Sequence, residues 1–305
     1  MSVDNIYLES EWKEILDLIE QKRLIPFLGA GISSPFLPEG NQIAKDWADQ
    51  YAYPLEDDLQ LAKVAQFLTI DMHDEFYPKL RICEQFSRIS IPDFSLPEYR
   101  NTAHSVLADL ELPLYVTTNY DTLMEDALKS RGKKPVSEYC RWNERLENFE
   151  ELAGLDSVVD KDRKFRPTEE EPLVYHLHGR IDIPHSLVLT EQDYFNFLGF
   201  LMRTGPERIL PSFLRKGIVY GSFVFLGYSL QDINFLTLHS MFPGRMYPSF
   251  IVQLPPNIRE ERRERAISYL KDYQKLRFGG QLRTYFGTVG DFLLELRTRL
   301  GEFKE

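Results

Sequence analysis

Leu24-Ile25-Pro26-Phe27-Leu28 runs straight into Gly29-Ala30-Gly31-Ile32-Ser33. A short run of wholly apolar residues closed by a glycine turn reads as a strand buried on both faces, the kind found in parallel sheets. Pro26 counts against a central position, because proline cannot donate to a strand ladder. The same grammar recurs along the chain. Leu114–Thr118 (LYVTT) ends in Asn119-Tyr120-Asp121, Leu173–His178 (LVYHLH) ends in Gly179, and Phe223–Leu226 (FVFL) ends in Gly227-Tyr228-Ser229. Pro135–Cys140, Phe250–Leu254 and Leu282–Tyr285 are further strands.

Between these runs the apolar spacing is helical. Trp12, Ile15, Leu16 and Ile19 recur at i, i+3, i+4, i+7, and Thr122–Arg131, Ile258–Leu276 and Val289–Leu300 carry the later helices. Residues 41–110 are mostly helical and interrupt the alternation after the first strand. The expected architecture is α/β: a Rossmann-like parallel sheet with helices on both faces and a small helical subdomain inserted at 41–110 of a single domain.

Composition limits the function classes. The net charge of -11 over 305 residues argues against a protein that grips nucleic acid or an anionic membrane through a basic face. Cys83 and Cys140 are the only cysteines, which leaves no four-cysteine zinc module and no disulfide framework. Residues 1–11 hold no apolar run of the signal-peptide kind, and Gly217–Leu230 falls short of a membrane span. The expected setting is cytoplasmic, with no structural zinc and no other metal site.

In open α/β sheets ligands bind beyond the carboxyl ends of the strands. Four polar turns fall at such ends. Gly29-Ala30-Gly31-Ile32-Ser33 would let a phosphate approach the backbone closely, with its N–H groups facing the oxygens; a tight turn without a ligand explains it equally well. It lacks the third glycine of the dinucleotide pattern, since Ser34 stands there. Asn119 and Asp121 fit catalytic positions and also plain turn or helix-capping duty. His176 and His178 lie two apart, so in a regular strand they share a face. His178, nearer the strand end, is the better catalytic candidate, and a packed core position suits the other. Glu191 and Asp193 read better as helix caps than as a carboxylate pair, and Arg259–Arg265, interleaved with Glu260, Glu261 and Glu264, as a solvated helix face.

Together the four turns resemble the sirtuin superfamily in order and in kind. The likeness is closer to the bacterial sirtuin-like domains of anti-phage defence systems, through Thr117-Thr118-Asn119-Tyr120-Asp121, His176-Leu177-His178-Gly179, the following Leu189, Thr190 and Tyr194, and Gly227-Tyr228-Ser229-Leu230 with Asp232. Tyr120 stands where the wider family has Ile, and Ser34-Pro35-Phe36 replaces its usual continuation of the glycine turn.

The resemblance implies an NAD+ hydrolase that cleaves the nicotinamide–ribose bond and depletes NAD in an infected cell. It implies Asn119 and His178 as catalytic residues. It implies Gly29, Ala30, Gly31, Ile32, Ser33, Asp121, Gly227, Ser229 and Asp232 as residues that bind NAD, the substrate. It also implies control through a homo-oligomer and a co-encoded regulator such as a HerA-like ATPase. A module that binds NAD or ADP-ribose without turnover, and an NAD-dependent protein deacylase, are the competing readings.

Overall fold

The computed structural model describes residues 9–143, 165–204, 220–228, 247–255, 258–278 and 281–304. Its centre is a parallel sheet whose seven described strands are β1 (Leu24–Leu28), β2 (Leu114–Thr117), β3 (Val136–Tyr139), β4 (Leu173–His176), β5 (Ser222–Leu226), β6 (Ser249–Gln253) and β7 (Leu282–Phe286). They lie in the order β3-β4-β2-β1-β5-β6-β7. The described helices are α1 (Glu9–Glu20), α2 (Gly40–Gln50), α3 (Leu61–Asp71), α4 (Tyr77–Ser87), α5 (Ala103–Asp109), α6 (Leu123–Ser130), α7 (Glu191–Thr204), α8 (Glu260–Phe278) and α9 (Val289–Lys304).

The side-chain alternation of each strand builds three layers. Leu24, Leu28, Tyr115, Val174, Val224, Leu226, Phe250 and Val252 face one core, which α1, α5, α6 and α9 cover with Trp12, Val106, Leu128 and Phe292. Ile25, Phe27, Val116, Tyr175, Phe223, Phe225 and Ile251 face the other, where α7 supplies Phe197 and Leu201. Burial on both faces is the reason the strands read as unbroken apolar runs.

Pro26 nevertheless sits in the middle of the sheet, paired in register with Val224. The ladder explains how. Gly29 N–H bonds the Leu226 carbonyl of β5, whereas the Leu28 carbonyl takes the Thr118 N–H from the β2 side. By alternation the Pro26 nitrogen faces β2, and β1–β2 pairing begins only at Phe27. The missing donor therefore falls where the ladder does not need one.

The 41–110 stretch divides between two environments. Helices α2, α3 and α4 share a core of Ile43, Trp47, Val64, Leu68 and Ile82, closed by Leu187 and Leu189 from the segment before α7. Helix α5 instead packs on α6 and α9, in the layer over the sheet. Lys79 of α4 is buried against Asp193 of α7 at 2.8 Å and ties the α2–α4 group to the main body.

Candidate functional site

β1 runs to β2 on one side and neighbours β5 on the other, so the chain reverses direction across the sheet at β1. Ligand crevices open at such points, beyond the carboxyl ends of the strands. A cavity of about 260 Å³ lies there. Its lining includes Ala30, Ser33, Asn119, Asp121, His178 and Gly227, with Ile82 and Phe86 from α4 and Tyr194 from α7. A second cavity, of about 790 Å³, lies against the same glycine turn and takes in Gly31, Ile32, Gly227, Gln253 and Thr288.

The glycines are there because two turns meet backbone to backbone. Residues Ala30–Ile32 form a single 3-10 turn. A Cβ on Gly29 would lie 2.8 Å from the Gly227 carbonyl oxygen, and one on Gly227 2.6 Å from the Ile32 nitrogen. Gly227 also has φ +78°, which an L side chain adopts at a cost. Tyr228 locks the pair: its hydroxyl donates to the Leu28 carbonyl at 2.9 Å and meets Thr118 Oγ1 at 2.6 Å.

Four of the five N–H groups of this turn are engaged within the protein, all but that of Ala30. Gly29 N–H bonds Leu226 O, Gly31 N–H bonds Gly227 O, Ile32 N–H bonds Gly29 O, and Ser33 N–H bonds Ala30 O. Gly29 lines neither cavity, whereas Gly31 and Ile32 border the larger one, with the Ile32 side chain packed into the core over the sheet. Ala30 and Ser33 are the turn residues that reach the smaller cavity.

One network joins the first turn to the second. Asn119 N–H bonds Thr117 Oγ1 at 2.9 Å. Its side-chain Nδ2 donates to the Gly29 carbonyl and to Ser33 Oγ, each at 3.1 Å. Ser33 Oγ in turn donates to Asp121 Oδ2 at 3.0 Å, and Asp121 Oδ1 accepts the Leu123 N–H at the start of α6. With both amide hydrogens engaged, the carboxamide cannot rotate without losing bonds, and Oδ1 is the atom no described residue holds. Asp121 thus does the capping work a turn aspartate suggests and orients Ser33 besides. Its burial raises the carboxyl pKa, against the bonds from Leu123 and Ser33 that lower it.

The two histidines part company because β4 stops at His176. His178 lies beyond it, in the turn that Gly179 makes possible: Gly179 has φ +88°, and a Cβ there would sit 2.2 Å from the Ser186 carbonyl oxygen. Tyr194 and Phe197 pack edge-on against the His178 ring, at centroid distances of 5.5 and 5.1 Å. Burial pushes its imidazole down to about 3, so the ring is neutral at any physiological pH. His176 is fully buried outside the cavity, between Glu125 and the Asn119 main chain.

Other expected features fall away from the cavity. Asp193 and Thr190 form a reciprocal cap on α7, with Asp193 Oδ2 accepting the Thr190 N–H at 3.0 Å and Thr190 Oγ1 accepting the Asp193 N–H at 3.1 Å. Burial raises the thiol pKa of Cys83 to about 11 and of Cys140 to about 12, which makes neither a nucleophile. Among the described residues no group of three or more His, Cys, Asp or Glu could hold a metal, and no helix is long and apolar enough to cross a membrane. Ser229 and Asp232 lie outside the described residues.

The NAD(+) hydrolase ThsA of Cytobacillus dafuensis is 26% identical over 222 residues, which cover 72% of this chain and 38% of that protein. ThsA of Acinetobacter baumannii is 24% identical over 233 residues, covering 74% and 41%. The chain thus spans well under half the length of these relatives. A solved Sir2 enzyme matches over 97% of this chain and 99% of its own at 14% identity, with a TM-score of 0.43. The SIR2-like domain family model matches residues 113–274, from the start of β2 into α8 and through Asn119, His178 and Gly227. That match takes in more than half of the sequence, and the chain belongs to the SIR2-like domain family.

Proposed function

We propose that the protein is an NAD+ hydrolase that cleaves the nicotinamide–ribose bond to give nicotinamide and ADP-ribose. The carrying observation is the anchored Asn119 carboxamide, whose Oδ1 is left as an acceptor on the cavity that His178 also lines. The relatives named NAD(+) hydrolase support the reading. So do two cavities on either side of one glycine turn, which suit a ligand with two nucleoside ends.

The chemistry follows from charge. The nicotinamide ring of NAD+ is cationic, so the C1′–N bond breaks with its electron pair moving onto the ring and the ribose passing through an oxocarbenium-like state. Asn119 Oδ1 accepts a hydrogen bond from the incoming water and holds its oxygen toward C1′. Water attached to such a carbon is strongly acidic, so a weak base suffices. The neutral His178 ring takes that proton and releases it to solvent. Ala30, Ser33 and Gly227 border the path of the pyrophosphate. Ser229 and Asp232 belong to the same proposal through their motif.

In the cell this activity would deplete NAD in anti-phage defence. Its control is assigned to assembly, as a homo-oligomer with a co-encoded regulator such as a HerA-like ATPase, in the cytoplasm. Incubation with NAD and chromatographic analysis of the products tests the activity. Equal yields of nicotinamide and ADP-ribose are expected. NAD bound but intact would favour a sensor, and nicotinamide released only with an acylated peptide would favour a deacylase.

A further inference from the structure

We propose that His176 and Glu125 form a buried positioning pair that fixes the main chain of Asn119 and so the aim of its carboxamide. The proposal rests on the hydrolase reading for its catalytic consequence and on geometry for its structure. His176 Nδ1 lies 3.1 Å from the Asn119 carbonyl oxygen, and Nε2 lies 2.8 Å from Glu125 Oε1. His176 is fully buried and Glu125 is 2% exposed. Ser137 Oγ of β3 also donates to Glu125 Oε1, at 2.7 Å. Three elements therefore converge on one ring: β4 carries it, α6 and β3 hold its far side, and its near side holds the catalytic turn.

A carbonyl oxygen only accepts, so Nδ1 must carry a proton. Burial by itself would raise the Glu125 pKa. The His176 charge and the bonds from His176 and Ser137 overcome it and hold the group below the ordinary carboxyl value. Glu125 Oε1 faces Nε2 on the other side of the ring, so the two groups form a hydrogen-bonded pair inside the protein. Such a pair costs desolvation and survives only where its geometry is fully used. The use is visible at Asn119. Its N–H, both amide hydrogens and its carbonyl all have partners, the last through His176. Without His176, the Asn119 carbonyl loses the hydrogen bond that holds the peptide plane after it, and Oδ1 moves with it.

The two histidines of Leu173–His178 thus have separate work: the first aims Asn119 and the second faces the cavity. His176 is a positioning residue and touches no substrate.

The test is a double-mutant cycle on the purified chain. His176→Ala is expected to lower kcat about 10–100-fold with KM within about threefold, as a misplacement of the order of 1 Å would. In an Asn119→Ala background the same change is expected to cost less than about threefold, because the residue it acts through is gone. Glu125→Gln is expected to keep kcat within about fivefold, since a glutamine amide can donate to Nε2 of a neutral ring that still bonds Asn119. If His176→Ala does not fold, His176→Gln replaces it, with a partial loss expected. Hydrogen exchange over residues 118–123 is read in parallel and needs no activity: it should rise at least tenfold in the His176 variant, while the sheet peptides stay protected. Equal losses in both backgrounds, or unchanged exchange over 118–123, would overturn the pair. A wild-type chain that leaves NAD intact overturns the hydrolase reading instead, and the exchange experiment then judges the pair alone.

Discussion

Replacing Ser33 by alanine removes one oxygen and two hydrogen bonds. Ser33 is 3% exposed. Its hydroxyl accepts from Asn119 Nδ2 at 3.1 Å and donates to Asp121 Oδ2 at 3.0 Å. Losing a buried neutral bond costs about 1 kcal/mol, and leaving the Asp121 carboxyl short of a donor adds about 1–2 kcal/mol. The expected loss of stability is about 2–3 kcal/mol, a fall in Tm of roughly 3–5 °C for a chain of this size. The chain should stay folded.

The functional effect of Ser33→Ala is separate. Asn119 keeps only the Gly29 carbonyl for its amide, so the carboxamide can turn over and offer a donor where the water needs an acceptor. That predicts a fall in kcat of about tenfold, roughly 1.4 kcal/mol in the barrier, with KM little changed. Nicotinamide release, followed by chromatography over a range of NAD concentrations, separates the two constants. A Ser33→Ala protein that loses the expected stability yet keeps kcat within twofold would refute the reasoning, because Asn119 would then be aimed by something else.

Three further outcomes follow from the same geometry. His104 and His178 are held down to about 4 and about 3 by burial, so the unfolded chain takes up protons below pH 6.5 that the native state refuses. Stability contributed by these two groups is complete above pH 6.5 and lost as pH falls toward 4, by about 2 kcal/mol each at pH 5; calorimetry should show a falling Tm, and His104→Leu should flatten the slope. Lys79→Ala strands Asp193 in the interior between α4 and α7, for an expected cost of about 3–5 kcal/mol in urea unfolding. Finally, EDTA is expected to change neither Tm nor NAD turnover; a loss of either that zinc restores would contradict the reading of the two cysteines.

The inner strands β1, β2, β4 and β5 were legible because they are buried along their whole length, so apolar runs alone mark them; the edge strands β3 and β7 are partly exposed and carry polar residues. Pro26 misled for an equally physical reason: its effect depends on which neighbour its nitrogen faces, which no local pattern records. The candidate site was legible as four strand ends, yet its internal logic was not. Ser33 meets Asn119 and Asp121 across 86 and 88 residues, and His176 meets Glu125 across 51. Each of those side chains has an ordinary local explanation as a turn, cap or core residue. The glycines show the same limit. Their spacing suggests phosphate contact, whereas the close approach of Gly227 to Gly29 and Ile32 accounts for them without a ligand. The helical stretch 41–110 reads as one block because periodicity shows amphipathic faces without showing what each face meets; α5 meets α6 and α9, and α2–α4 meet one another.

The most direct measurement compares NAD cleavage by wild type, Asn119→Ala and His178→Ala at matched fold, judged by Tm and circular dichroism. The account predicts stoichiometric nicotinamide and ADP-ribose from wild type, and a loss of about 10²-fold or more in each variant, with NAD still bound. Wild-type turnover in a well-folded Asn119→Ala protein would contradict it.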